Sequence, residues 1–248
     1  MIVPKSSRVP YETTGGLDTV AVRLPSHPVA LALIRESGGF VAAPSANTSG
    51  RPSPTEAAHV AEDLSGRIPL ILDGGPCEIG LESTIVDLST ESPLILRPGY
   101  IDPDMLRGIL GEVGIDPGLT AEEDAPPKAP GMKYRHYAPE AELILIEGDP
   151  DRAAAYIRRE VKRLEASGIR CGILCTEETA DRYPEGIVKS IGAGTDEEQI
   201  ARNLYRTLRA FDAAGVGRIY SELFDAPRLG GAIMNRLTKA AGRQIIKV

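Results

Sequence analysis

The sequence predicts an α/β protein built from two layered units joined by an extended linker. Three observations lead there. Short apolar runs alternate with helical patterns along most of the chain. That alternation stops between Val113 and Pro139, where prolines interrupt any regular period. It then resumes at Ala141 and continues almost to the C-terminus. At 248 residues the chain is long enough for one large or two ordinary domains, at about 150 residues each.

In the first part, DTVAVR (18–23) reads as a strand and SHPVALALIRES as a helix with Ser26 available as its cap. GFVAAP returns as a strand ending at Pro44. SPTEAAHVAEDLSG carries a helix-start pattern: Ser53 as N-cap, Pro54 at the first position and Glu56 closing a capping box. Ala57, Val60, Ala61 and Leu64 supply its apolar stripe. PLILD, STIVDL and PLILR read as strands, and Asp102-Pro103 opens a helix that stops near Gly111. In the second part, AELILIEG is a strand, and Asp149-Pro150 opens a helix with Ile157, Val161 and Leu164 on one face. IRCGILCT and GIVKSIGAG follow as strands. Thr195 and Glu198 form a second capping box before a helix carrying Ile200, Leu204, Leu208 and Phe211. RIYSELF is a further strand and LGGAIMNRLTKAAG a last helix. Such alternation implies a small, mostly parallel Rossmann-like sheet. The expected boundaries are 1–112, a linker at 113–139, and 140–248.

Composition narrows the function classes. The net charge of −7 argues against a broad basic face for sequence-independent nucleic-acid binding. No apolar run approaches the ~20 residues that span a bilayer, and the N-terminus lacks a signal-peptide centre. A cytoplasmic protein is expected. Cys77, Cys171 and Cys175 have neither disulfide-framework nor zinc-site spacing, and the last two read as core thiols.

Several polar residues follow predicted strands: Arg23, Ser45, Asn47 and Arg97. Ligands gather beyond strand ends in open α/β sheets, so these side chains could share a crevice or be ordinary solvated loop residues. Between Ser45 and Thr55 a run of Ser, Asn, Thr and Gly leads into a helix N-terminus, which suits a phosphate or carboxylate. The same residues also make an ordinary turn. Arg97 in LRPG offers a planar fork for an anion. Glu82 and Asp87, flanking STIV, read equally as metal ligands or surface charge, and the metal site is left unknown. Tyr134, His136 and Tyr137 cluster in the linker of a chain with three His and eight Tyr.

Together GGLDTVAVRLPSHP, APSANTSGRPSPT, GLESTIVDL, LILRPG, APGMKYRHYAP and LGGAIMNRL resemble, in order, the threonylcarbamoyl-AMP synthases. The resemblance is to the long form, in which a YrdC-type catalytic domain is linked to a Rossmann-like domain. It implies an L-threonylcarbamoyladenylate synthase, a nucleotidyltransferase that makes threonylcarbamoyl-AMP and pyrophosphate from threonine, bicarbonate and ATP, with Mg2+ accompanying ATP. A separate tRNA threonylcarbamoyl transferase complex would use the product for threonylcarbamoyladenosine modification, so direct tRNA contact is not required and no membrane is involved. A homodimer is left open. Carried over by motif, ATP contacts fall on Thr19, Asn47, Thr55, Arg97, Tyr134, His136 and Tyr137, and threonine contacts on Arg23, Ser45 and Ser83. The aromatic linker would fold across the site as a lid.

The resemblance further implies an earlier segment bearing Lys-x-Arg before the residues that match Met1. Lys5 and Arg8 in PKSSR do not have that spacing. The expectation is an incomplete YrdC-type domain, with two readings open: the synthase, or a catalytically incomplete nucleotide-binding or interaction module.

Overall fold

The structure, a computed structural model, describes residues 1–119, 137–224 and 226–248. These residues form two compact units that do not follow chain order. One holds Met1–Ser45 and 83–119; the other holds Ala46–Glu82 and 137–248.

The first unit contains β1 (Ile2–Pro4), α1 (Tyr11–Thr14), β2 (Thr19–Ala21), α2 (Pro28–Glu36), then β3 (Ile85–Asp87), β4 (Leu94–Arg97), α4 (Pro103–Leu110) and β5 (Gly114–Ile115), where α3 belongs to the other unit (Ala57–Leu64). Its sheet runs β2-β1-β3-β4-β5. The β1–β2 and β3–β4 pairs are antiparallel, while β1–β3 and β4–β5 are parallel. Val86, Ile95 and Val113 form its small core with Leu88 and Leu106 against them. Asp102 caps α4 as its sequence suggests, accepting from the Met105 amide at 2.8 Å. The expected cap of α2 is corrected: His27 holds that position and makes no side-chain cap bond.

Two expected strands are absent. Residues 39–44 and 69–73 form no ladder. Phe40 is 85% exposed and Leu70 is 70% exposed. An apolar run marks what could pair, but a strand needs a neighbour to take its backbone donors and acceptors. Conversely, β1 forms from an N-terminal IVP too short to show a period.

The second unit is built on β6 (Glu142–Glu147), α5 (Pro150–Glu165), β7 (Cys171–Cys175), β8 (Ile187–Ser190), α6 (Glu197–Ala213), β9 (Arg218–Glu222), α7 (Gly230–Ala240) and β10 (Ile245–Lys247). The strands lie in the order β10-β6-β9-β7-β8 and every pair is parallel. This is the Rossmann-like sheet expected from the alternation. Ile157, Val161 and Leu164 bury the inner face of α5, and Ile200, Leu204, Leu208 and Phe211 that of α6. Cys171 and Cys175 lie in the core. Asp149 caps α5 through the Asp151 and Arg152 amides. At α6 the cap is Asp196, which accepts from the Gln199 amide, one residue beyond the expected Thr195.

Segment 46–82 belongs to this unit, and α3 shows why. Its expected apolar stripe is only half-buried, whereas Asp63 is its one buried residue. The expected capping box is also corrected. The helix starts at Ala57, and the Ser53 hydroxyl donates to Glu82 at 2.5 Å instead of capping. A buried carboxylate competes better for that hydroxyl than a solvent-facing helix end does.

Candidate active site

In the first unit the strand register decides which candidate residues come together. Ala21 pairs with Ile2, Ile2 with Asp87, and Asp87 with Leu94, so these four define one row across the sheet. Strands β2 and β4 point the same way, and β3 points opposite. Arg23 follows β2, Arg97 ends β4 and Ser83 precedes β3, so all three lie at one end of the sheet. Thr19 pairs with Pro4 and lies on the other side of that row. The shared end is held by Arg97, whose Nε and Nη2 donate to the Ser83 carbonyl at 3.1 and 2.9 Å. The guanidinium fork therefore fixes the backbone beside a threonine-contact candidate. Arg23 and Ser45 are exposed, Ser45 on the loop after α2. Asp87, left open as a ligand or surface charge, accepts from the amide and hydroxyl of Ser89 and closes a turn.

In the second unit the loop from Asn47 to Thr55 is tightly tied. The Asn47 amide nitrogen donates to the carbonyls of Thr48 and Arg51 at 2.9 and 3.4 Å. Its Oδ1 is buried and accepts from nothing among the described residues. A buried acceptor left without a donor is uncommon, and it suits a ligand hydroxyl or amine. Thr55 is buried; its amide donates to His59 Nδ1 at 3.2 Å and its carbonyl accepts from Cys77 at 2.8 Å. Burial, then the nearby Arg209 charge, lowers the His59 pKa below its ordinary value. A neutral ring with its proton on Nε2 is what the Thr55 amide requires.

Asp63 is the hub of this loop. It accepts from the Thr48 amide at 3.1 Å, from Arg51 Nη1 at 2.6 Å, and from both Arg209 Nη atoms at 3.2 and 2.8 Å. Burial would raise its pKa, but the Arg209 and Thr48 hydrogen bonds and the two arginine charges hold it below the usual carboxylate value. Glu82 is the second hub. Its Oε1 accepts from Ser53, and its Oε2 accepts from Tyr205 and from Arg236 Nε, both at 3.0 Å. Burial opposes ionisation of Glu82, yet the Arg236 charge and the Ser53 bond keep its pKa low. Of the two roles left open for Glu82, neither metal ligand nor surface charge describes a carboxylate whose oxygens are taken this way.

At the end of the linker, Tyr137 is buried with its ring centroid 5.4 Å from that of Tyr205. It adopts φ 68°, a region that costs a bulky residue energy. The Ala138 amide donates to the Gly50 carbonyl at 2.9 Å, which ties this point to the candidate loop. Tyr134 and His136 lie outside the described residues. Sequence reading missed Asp63, His59, Arg209 and Arg236. The Arg209–Asp63 and Arg236–Glu82 partners are 146 and 154 residues apart, and no periodicity links such positions.

Comparison with known proteins adds three findings. Residues 101–242 match the family described as the C-terminal domain of threonylcarbamoyl-AMP synthase, and residues 1–99 match a family described as telomere recombination. The chain is 47% identical over 248 residues to the threonylcarbamoyl-AMP synthase of Bacillus subtilis, covering 100% of this chain and 70% of that protein. It is 46% identical to the Pyrococcus abyssi protein of the same name, with 100% and 71% covered. A crystal structure of P. abyssi Sua5 complexed with L-threonine superposes with a TM-score of 0.90 at 46% identity, covering 100% of this chain and 71% of that one. With near-half identity along its whole length and the same fold, the chain belongs to the threonylcarbamoyl-AMP synthase family.

Proposed function

We propose that this protein forms threonylcarbamoyl-AMP from L-threonine, bicarbonate and ATP. The observation that carries this reading is identity of 46–47% across all 248 residues to proteins named for that product. Threonine and bicarbonate condense to an N-carboxylated threonine with loss of water. A carboxylate oxygen of that carbamate attacks the α-phosphorus of ATP, and the bond to the bridging oxygen breaks as pyrophosphate leaves. Such a displacement needs positioning and charge stabilisation more than a protein nucleophile.

The chain's own residues take two roles. Arg23, Ser45 and Ser83 would hold threonine, with Arg97 fixing the Ser83 backbone through its fork. Asn47, Thr55 and Tyr137, with Thr19, Arg97, Tyr134 and His136, would serve ATP. The Asn47 Oδ1 would accept from the nucleotide, while Thr55, whose amide and carbonyl are already engaged, would shape the loop. Residues 113–139 would close over the nucleotide as a lid between a catalytic part at 1–112 and a Rossmann-like part at 140–248. Among the described residues no group of three or more His, Cys, Asp or Glu forms a cation cradle. Mg2+ would enter with the triphosphate of ATP. Among the described residues no helix is long and apolar enough to cross a membrane. The reaction's soluble substrates suit the cytoplasm, and its product would pass to a tRNA-modifying transferase.

Pyrophosphate release by the purified protein tests the reading. Release should require both threonine and bicarbonate, and Asn47→Ala should raise the ATP KM about tenfold, the worth of one good hydrogen bond. Release that ignores threonine and bicarbonate would overturn it.

A further inference from the structure

The nucleotide loop is tied to the helix that follows it, through Asp63 and His59 of α3, and its support does not end there. It is fastened to the helices of the parallel-sheet unit. From α6, Arg209 Nε and Nη2 donate to the Pro52 carbonyl at 3.1 and 2.7 Å, while Nη1 and Nη2 form a fork on Asp63 at 3.2 and 2.8 Å. Arg209 is 3% exposed and the Asp63 side chain is fully buried. Asp63 in turn takes the Thr48 amide, the neighbour of Asn47. One turn earlier on α6, Tyr205 and, from α7, Arg236 grip Glu82, which receives Ser53 from the same loop. Gly80 sits so close to α6 that an added Cβ would fall 2.5 Å from the Arg202 Cα. Three points of one loop, Thr48, Pro52 and Ser53, are thus set by side chains that lie on, or are held by, two helices of the Rossmann-like sheet.

We propose that Arg209 is a positioning residue for the nucleotide. Through Asp63 and the Pro52 carbonyl it fixes the loop that presents the unpartnered Asn47 oxygen. On this account the C-terminal Rossmann-like part is one side of the ATP site's support. The proposal rests on the reaction proposed above for its substrate, though not for its geometry. A guanidinium is needed because donor contacts to Pro52, Asp63 and Glu62 diverge from one planar group, which a lysine cannot reproduce. Threonine-contact candidates Arg23, Ser45 and Ser83 lie outside this unit, so the two substrates should respond differently.

The test compares full-length wild type, Arg209→Met and Arg209→Lys. In the absence of ligand, the Thr48 amide should exchange hydrogen about tenfold or more faster in Arg209→Met, with the Ile144 and Ile173 strand amides unchanged. In turnover the ATP KM should rise about tenfold, the threonine KM should stay within about twofold, and Arg209→Lys should fall between. Because Asp63 keeps Arg51, the Met variant leaves that carboxylate with a cationic partner. If Arg209→Met loosens the strands as well, Arg209→Lys decides: faster Thr48 exchange over unchanged strands supports the proposal. Unchanged Thr48 exchange and ATP KM in that lysine variant would overturn it, as would equal rises in both KM values. Wild type that releases no pyrophosphate overturns the reaction instead, and Thr48 exchange still decides what Arg209 holds.

Discussion

Asp212, on α6 beside the Arg209 cluster, should make this protein less stable as pH rises through the acidic range, and Asp212→Asn should remove that loss. Its Oδ1 accepts from the Glu140 amide at 2.8 Å. Its Oδ2 is 3.8 Å from Arg51 Nη2 and is buried without a hydrogen-bond partner among the described residues. Burial is the main cause that pushes its pKa up to about 6 from 3.8; the Glu140 charge adds to it, and the Glu140 amide, Arg51 and Arg209 oppose it. The folded state therefore keeps a proton that the unfolded chain releases between those two values. Stability falls with rising pH wherever the folded state binds more protons. The loss begins near pH 4 and is complete above about 6, following the same shift. Two pKa units correspond to about 3 kcal/mol, which solvent screening at the helix surface cuts to about 1–2 kcal/mol. An asparagine keeps the acceptor for the Glu140 amide and has no charge to bury. Urea unfolding followed by circular dichroism should show Asp212→Asn more stable than wild type by that amount at pH 8 and equal to it near pH 4. A variant equal to or weaker than wild type at pH 8 would refute the reasoning.

Other positions give sharper local tests. Gly80→Ala should cost about 2–3 kcal/mol in thermal unfolding, because φ is +77° and the new Cβ meets Arg202 backbone at 2.5 Å; a neutral effect would contradict the close approach. His59 should titrate below 6.5 by NMR and carry its proton on Nε2. With its folded pKa lowered, its contribution to stability is present above the unfolded value and lost as pH falls through the folded one. A pKa at or above 6.5 would contradict that geometry. In the native protein Cys77 should alkylate at pH 8 while Cys175, whose thiol burial pushes up to about 12, stays unmodified until unfolding. Prompt native labelling of Cys175 would show that its strand is not closed.

Much of the second unit was legible in the sequence because its helices carry full apolar faces and its strands are short, buried and bounded by turns. Ile157, Val161 and Leu164, or Ile200 through Phe211, state their burial in their spacing. The first unit was less legible. GFVAAP and PLILD have strand composition, but a ladder partner is a property of the fold and not of either segment. The candidate site was partly legible: strand-end position singled out Arg23 and Arg97, which the register brings to one end of a sheet together with Ser83, and the register alone sets Thr19 apart from them. Asp63 drew no notice in the sequence and Glu82 stayed open between metal ligand and surface charge, because Arg209 and Arg236 lie more than 140 residues from them. Ser53 looked like a cap for the same reason: its partner, Glu82, is 29 residues on.

The central claim is tested most directly by following carbon from bicarbonate. Purified protein incubated with carbon-13 bicarbonate, L-threonine and ATP should yield, by mass spectrometry, a threonylcarbamoyl adenylate carrying the label, with one pyrophosphate per adenylate. Omitting threonine should abolish the product. Bound ATP with no labelled adenylate, or pyrophosphate released without it, would contradict the account.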